Sequence, residues 1–275
     1  MGLNSKIIIH LMGLLLLFNG GFMVLAALVS GLYADGATLG ISVAAVTTLF
    51  VGTVAMYLTR GHKKEVKRKE GYIIVAMGWI IMSASGVLPY ILSGSIPELS
   101  NAFFETMSGY TTTGATILDD IESMPEGILF WRSLTHWIGG MGIIVLAIAI
   151  LPLLGIGGMQ LFAAEAPGPG GDKLHPRITD TAKRLWFIYL GYTVAETLLL
   201  KLAGMSFFDA VNHALSTLST GGFSTKNASI AHWNSQPLIQ YIIMLFMFLA
   251  GTNFVLSYFA FKGRGQTVIR DEEFS

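Results

Sequence analysis

Six long apolar segments, each near the ~20 residues needed to cross a hydrocarbon core, constrain this chain more than any other feature. They run over roughly 7–33, 37–59, 72–93, 127–151, 185–203 and 237–261. Charged residues make up 12% of the chain. Soluble domains carry about 25%, so there is too little charge here to cover a water-facing surface. Lys6 precedes the first segment in the manner of a signal peptide, yet its apolar stretch far exceeds an h-region of about 7–15 residues. It reads as a retained helix, and the expected surroundings are a lipid bilayer.

Composition also excludes several functions. The formal net charge is zero and no basic block is interleaved with aromatics, so nucleic acid is not an expected partner. With no cysteine, disulfides, thiolate catalysis and zinc–thiolate sites are out. No Ser/His/Asp arrangement, Walker sequence or paired carboxylates on one face points to an enzyme. His10 and His213 lack a second ligand three or four residues on, so they read as helix-face residues and no metal site is expected. The 32 glycines suit close helix approach and unusual backbone beside a pathway.

Orientation follows from the positive-inside rule. Arg60, Lys63, Lys64, Lys67, Arg68 and Lys69 place the loop 60–70 in the cytoplasm. Counting crossings puts the N-terminus inside, together with loop 152–184 (Lys173, Arg177, Lys183, Arg184) and the tail (Lys262, Arg264, Arg270). Loop 115–126, with Asp119, Asp120, Glu122 and Glu126, falls outside.

Residues 98–110 and 207–218 are helix-length but too short to span, which makes them candidates for core, interfacial or re-entrant helices. They are copies. An offset of 108 lays Ser108 on Ser216, Thr112 on Thr220 and Gly114 on Gly222, and the spacing from Pro125 to Gly139 equals that from Pro237 to Gly251. The repeat unit is helix, short re-entrant helix, Gly-containing extended run, helix.

Bare backbone at membrane depth must line a cavity or be buried in protein. An extended Thr-Thr-Gly run aims successive carbonyl oxygens at a pathway, where they can replace the water shell of a cation. The terminal glycine permits backbone angles that a side chain disfavours. The short helix ends at the run, and the partial negative charge at its C-terminus favours a cation. The candidate filter is Thr112, Thr113 and Gly114 with Thr220, Gly221 and Gly222. Asp119, Asp120, Glu122 and Glu126 are candidates for an outer vestibule that concentrates cations, or else form a solvated loop.

Among the remaining residues, Gly139, Gly140 and Gly251, with Thr252 and Asn253, read as sites of close helix packing in preference to hinges. Arg132 and His136 sit near the outer end of the fourth segment, where Arg132 either snorkels or pairs. Glu196, inside the fifth, reads as a structural partner before a pathway residue. The Asn227-Ala228-Ser229 sequon is a match of the kind that arises by chance.

Five stretches carry a family resemblance. They are Tyr110-Thr111-Thr112-Thr113-Gly114-Ala115-Thr116-Ile117-Leu118, Arg132-Ser133-Leu134-Thr135-His136-Trp137-Ile138-Gly139-Gly140-Met141-Gly142, Glu165-Ala166-Pro167-Gly168-Pro169, Lys173-Leu174-His175-Pro176-Arg177 and Ser219-Thr220-Gly221-Gly222-Phe223-Ser224-Thr225. On these the chain resembles the TrkH-type potassium uptake proteins of the Trk/Ktr/HKT superfamily. The resemblance implies a bacterial inner-membrane subunit that admits K⁺ as its transported substrate. No cofactor is expected, and a homodimer is the expected assembly. It also implies a cytosolic, nucleotide-binding regulatory ring of the TrkA kind. By the resemblance Gly114 and Gly222 confer potassium preference, with the carbonyls of Thr112, Thr113, Thr220 and Gly221 before them. The two leading helices look like the extra N-terminal pair of the TrkH branch. Family members have four helix–pore–helix repeats and this chain has two, so the expectation is an N-terminal half.

The expected fold is thus an all-α integral membrane protein with six transmembrane helices and two re-entrant pore helix–filter segments. Its expected divisions are a helix pair and basic loop (1–70), a first repeat (71–151), a connector (152–184), a second repeat (185–262) and a tail (263–275). The competing readings are a two-pore-segment cation channel subunit acting as a dimer, and a non-conducting membrane scaffold. If the vestibule reading holds, neutralising Asp119, Asp120, Glu122 and Glu126 together lowers cation uptake at low salt and much less at high salt. Uptake unchanged at every ionic strength removes it.

Overall fold

The computed structural model describes residues 3–61, 68–150 and 178–252, and every regular element among them is helical. In order these are α1 (Ser5–Tyr33), α2 (Thr38–Leu58), α3 (Arg68–Gly86), α4 (Leu88–Leu92), α5 (Leu99–Tyr110), α6 (Glu126–Ile150), α7 (Ile178–Leu202) and α8 (Phe207–Leu218). A 3-10 turn (Ser229–Trp233) and α9 (Pro237–Gly251) follow. The basic residues 63, 64 and 67, the motifs at 165–169 and 173–177, Asn253 and the tail lie outside the described residues.

Ser5–Tyr33, Thr38–Leu58, Glu70–Leu92 and Arg184–Leu202 are long and apolar enough to cross a membrane, and Pro237–Gly251 is a shorter apolar helix. Large apolar side chains such as Leu28, Phe50 and Leu198 are exposed on them. A surface of that kind suits lipid. At 12 residues each, α5 and α8 reach only about 18 Å, well short of a ~30 Å hydrocarbon core.

The first two helices form a hairpin whose axes meet at glycines. A Cβ on Gly13 would lie 2.9 Å from the Gly52 carbonyl oxygen, and one on Gly52 equally close to the Gly13 oxygen. The turn between them begins with Ala34 in a left-handed conformation. Asp35 then does two jobs. One carboxylate oxygen accepts from Ala37 N at 2.9 Å and from the Ser30 hydroxyl, and the other accepts from Gly127 N at 2.6 Å. The second contact satisfies a free amide in the first turn of α6, where negative charge is favoured.

The third apolar segment is one span broken at Val87. Pro89 has no N–H to continue the ladder, and Tyr90 N bonds the Val87 carbonyl at 3.1 Å, leaving Gly86 O without its usual helical donor. Trp131 Nε1, from α6, donates to that oxygen at 3.1 Å. Helix α6 is the central post. It packs against α1, α5, α7 and α8 and buries Ile128, Trp131, Leu134, Trp137 and Ile138. A smaller core of Leu200, Met205, Ala210, Trp233, Ile239 and Ile243 joins α7, α8 and α9.

Gly52→Val forces the α1–α2 hairpin apart at a backbone contact. It should lower the unfolding free energy of the detergent-purified protein by about 1–3 kcal/mol, read as a drop in thermal midpoint.

Candidate functional site: two matched helix ends

The offset of 108 seen in the sequence reappears in the backbone. Helices α5 and α8 start at Leu99 and Phe207 and stop at Tyr110 and Leu218. Each closes with the same pair of hydrogen bonds. Thr113 N reaches Ser108 O at 3.0 Å and Thr112 N reaches Gly109 O at 3.0 Å. Gly221 N reaches Ser216 O at 3.0 Å and Thr220 N reaches Thr217 O at 2.9 Å. This is the Schellman closure, whose left-handed residue is usually glycine. Here it is threonine, with φ of 53° at Thr112 and 55° at Thr220.

A β-branched residue at positive φ is an outlier that costs about 1–3 kcal/mol and persists only where the surroundings enforce it. The expected run is therefore not extended from its first residue. It opens with a strained left-handed turn and then continues to Gly114 (φ 74°) and Gly222 (φ 88°). The two runs meet. A Cβ on Gly114 would overlap the Gly221 carbonyl oxygen and lie 3.9 Å from the Gly222 Cα. Thr113, Thr220 and Gly222 are exposed, and Gly221 is buried against the His136 ring.

Each run is braced to its own helix by a polar side chain at the same repeat position. Glu105 accepts from the Thr116 hydroxyl at 2.9 and 3.1 Å and from Ile117 N at 3.0 Å. His213 pairs through Nε2 with Ser224 Oγ at 3.0 Å. The offset of 108 lays Glu105 on His213 and Thr116 on Ser224.

Helix α6 ties the two repeats together. Arg132 Nε donates to Glu105 Oε1 at 2.5 Å, both side chains being almost fully buried, and its Nη1 donates to Ser224 O at 3.0 Å. Its guanidinium lies 3.7 Å over the Phe223 ring, which stacks at 3.8 Å on His136. His136 Nδ1 pairs with Ser216 Oγ at 3.1 Å. Arg132 is thus paired and does not snorkel. Gly139 and Gly140 are contact points, as expected. A Cβ on Gly139 would overlap the Tyr110 carbonyl, and one on Gly140 would sit 2.8 Å from Ser219 Cα.

The N-terminal helices reach the site as well. Tyr110 donates its hydroxyl to Asn19 Oδ1 at 2.6 Å, and Asn19 donates in turn to Ser85 Oγ at 2.8 Å, all buried. Of the four acidic candidates, Asp120 and Glu122 converge on Asn227 of the second repeat's loop. Asn227 Nδ2 donates to Asp120 at 2.9 Å, Asn227 N donates to Glu122 at 3.1 Å, and Ile121 N donates to Asn227 Oδ1 at 2.6 Å. The hydrogen bond from Asn227 holds the Asp120 carboxyl below the usual aspartate range. Asp119 is exposed and Glu126 opens α6; neither joins this knot. Glu196 is fully buried on α7, beside Thr217 of α8.

Glu105, Asn19 and Asp35 escaped the sequence reading. The one usable signal was for Glu105, a lone carboxylate in a short apolar helix that the repeat aligns with another titratable residue.

Taken together, the apolar helices and the two matched helix ends place the chain among helical membrane proteins. A model of the TrkH family, described as a cation transport protein, matches residues 40–274. The Trk system potassium uptake protein TrkH of Salmonella typhimurium is 46% identical over 276 residues, covering 99% of this chain and 57% of the relative. TrkG of Escherichia coli is 37% identical over 273 residues, covering 98% and 56%. The crystal structure of the potassium transporter TrkH from Vibrio parahaemolyticus superposes with a TM-score of 0.81 at 40% identity, covering 96% of this chain and 53% of that one. This chain belongs to the TrkH family, and it spans somewhat over half the length of these relatives.

Replacing Asn19 by Leu leaves the buried Tyr110 hydroxyl without its acceptor. The expected cost is about 1–3 kcal/mol in detergent, with part of it recovered in the Asn19→Leu/Tyr110→Phe double variant. Strict additivity of the two substitutions would deny the contact.

Proposed function

We propose that this chain supplies part of a potassium uptake pathway across the bacterial inner membrane. In this reading six helices span the bilayer with the N-terminus in the cytoplasm, and α5 and α8 enter from outside as re-entrant helices. The carbonyls of Thr112, Thr113, Thr220 and Gly221, ahead of Gly114 and Gly222, take the place of the ion's water shell. The observation that carries the reading is the pair of strained Schellman closures, 108 residues apart, whose runs abut at Gly114 and Gly221. Each closure puts a helix C-terminus, with its partial negative charge, behind a bare backbone run. The relatives' names as potassium uptake proteins support potassium as the ion.

A chain of this kind contributes two of the segments around a pathway, and a further unit completes it. One feature supports that. Pro237 aligns with Pro125, so Met244, Met247 and Phe248 on α9 occupy the positions of Arg132, Thr135 and His136 on α6. On α6 these residues are buried, whereas on α9 all three are exposed. A second copy of this chain could supply that unit, as in the dimer reading, and so could further repeats. A cytosolic nucleotide-binding subunit of the TrkA kind is the expected regulator.

The test is potassium-limited growth of an uptake-deficient bacterium expressing the 275-residue chain, beside Gly114→Ser and Gly222→Ser variants with matched membrane abundance. Rescue that both substitutions weaken by ten-fold or more in rate supports a working filter, ten-fold being about 1.4 kcal/mol of discrimination. Rescue indifferent to both substitutions rejects the assigned filter. If only the chain joined to the remainder of a TrkH relative gives rescue, further repeats complete the pathway and the dimer of this chain does not.

A further inference from the structure

Arg132 belongs to the first repeat, yet two of its three contacts are with the second. Its Nε holds Glu105, which in turn holds Thr116 and Ile117 beyond the first run. Its Nη1 holds Ser224 O and its plane covers Phe223, the two residues that follow Gly222. A guanidinium is suited to this because its donors form a rigid planar fork that can pair and stack at once. Phe223 is pinned from its other face by His136, whose ring also occupies the space a Cβ on Gly221 would need. The segment Gly221–Ser224 is therefore held on one side by two side chains of α6.

From this geometry we infer that Arg132 is a positioning residue for the second filter segment, so that ion discrimination at Thr220–Gly222 is set from the first repeat. The inference rests on the potassium-pathway reading above. Carbonyls discriminate between ions of similar charge only while their spacing is held. Within the second repeat the run has its helix closure and the His213–Ser224 brace, both lying toward α8. Restraint from α6 comes through Arg132 and His136. In the duplicate position on α9 stands Met244, which has no charge to offer, so the device runs from the first repeat to the second and is not copied.

Deleting the charge is a poor test, because an unpaired buried Glu105 costs about 3–5 kcal/mol and threatens folding. Arg132→Lys keeps the charge but gives up the fork. A single ammonium cannot serve Glu105, the Ser224 carbonyl and the Phe223 face together. Phe223→Leu tests the same contact from the other side while keeping an apolar side chain. K⁺ and Na⁺ uptake rates are measured for the wild type and both variants, normalised to membrane abundance. The host protein is the 275-residue chain or, where that chain alone does not transport, the chain joined to the remainder of a TrkH relative.

Both variants are expected to raise the Na⁺-to-K⁺ rate ratio by ~10-fold or more, in keeping with loss of a hydrogen bond from a charged group in Arg132→Lys and of a desolvated cation–π contact in Phe223→Leu. The double variant should change the ratio by less than the product of the two single effects. K⁺ and Na⁺ uptake falling in parallel, with the ratio unmoved, assigns Arg132 a purely structural role and overturns the inference. A ratio unmoved at full activity overturns it too. A wild type that transports no potassium in either form removes the pathway reading itself, and this inference with it.

Discussion

A guanidinium taken out of water must be neutralised and have its donors used, or the fold loses several kcal/mol. Arg132 meets that demand through Glu105, the Ser224 carbonyl and the Phe223 ring, which belong to two stretches of chain far apart in sequence. Much of the geometry around α6 is what brings those groups within reach. Gly109 lies so close to Thr135 that a Cβ there would overlap its hydroxyl oxygen, and Gly139 and Gly140 bring the backbones of Tyr110 and Ser219 onto the helix. Asp35 fixes where α6 begins, and Trp131 locks it to the break between α3 and α4. With α6 set in this way, its Arg132 and His136 define where both repeat loops run.

The strain at Thr112 and Thr220 belongs to the same arrangement. Glycine would close either helix without a steric penalty, but threonine stands in both places. Such residues hold a left-handed conformation only when the neighbouring structure over-determines it. That structure is visible on both sides of each turn. Before it, the helix closure fixes the amides of Thr112 and Thr113, and of Thr220 and Gly221. After it, Glu105 and His213 fix the outgoing chain at Thr116 and Ser224. A run held at both ends has few ways to relax.

The elements were largely legible in the sequence because they depend on local chemistry. The short helix at 207–218 was placed to the residue and that at 98–110 to within one, since apolar length and Ser/Thr/Gly endings mark them directly. The internal offset was legible for the same reason, being a matter of spacing. Gly114 and Gly222 read as places where the backbone takes angles a side chain disfavours, and both have positive φ, but nothing local in the sequence favours the left-handed threonines. The polar pairs were hidden by separation. Glu105 lies 27 residues from Arg132, and Asn19 lies 91 from Tyr110. In each pair the partner is chosen by how helices cross, and hydropathy carries no information about crossing.

The duplication explains which features recur and which do not. Backbone closure recurs unchanged, because the path of the chain through each helix end is set by main-chain hydrogen bonds, and the same residue, threonine, bears the left-handed strain in both copies. The braces recur in position but not in chemistry, with a carboxylate at 105 and an imidazole at 213. The carboxylate has a reason to be ionic, since it must also neutralise Arg132, whereas His213 faces Ser224 with no guanidinium to balance. On α9 the place of Arg132 is taken by exposed Met244, so the second repeat needs no buried counter-charge. The identity of residue 105 therefore follows from residue 132, and the two copies differ where the first repeat alone has to grip its neighbour.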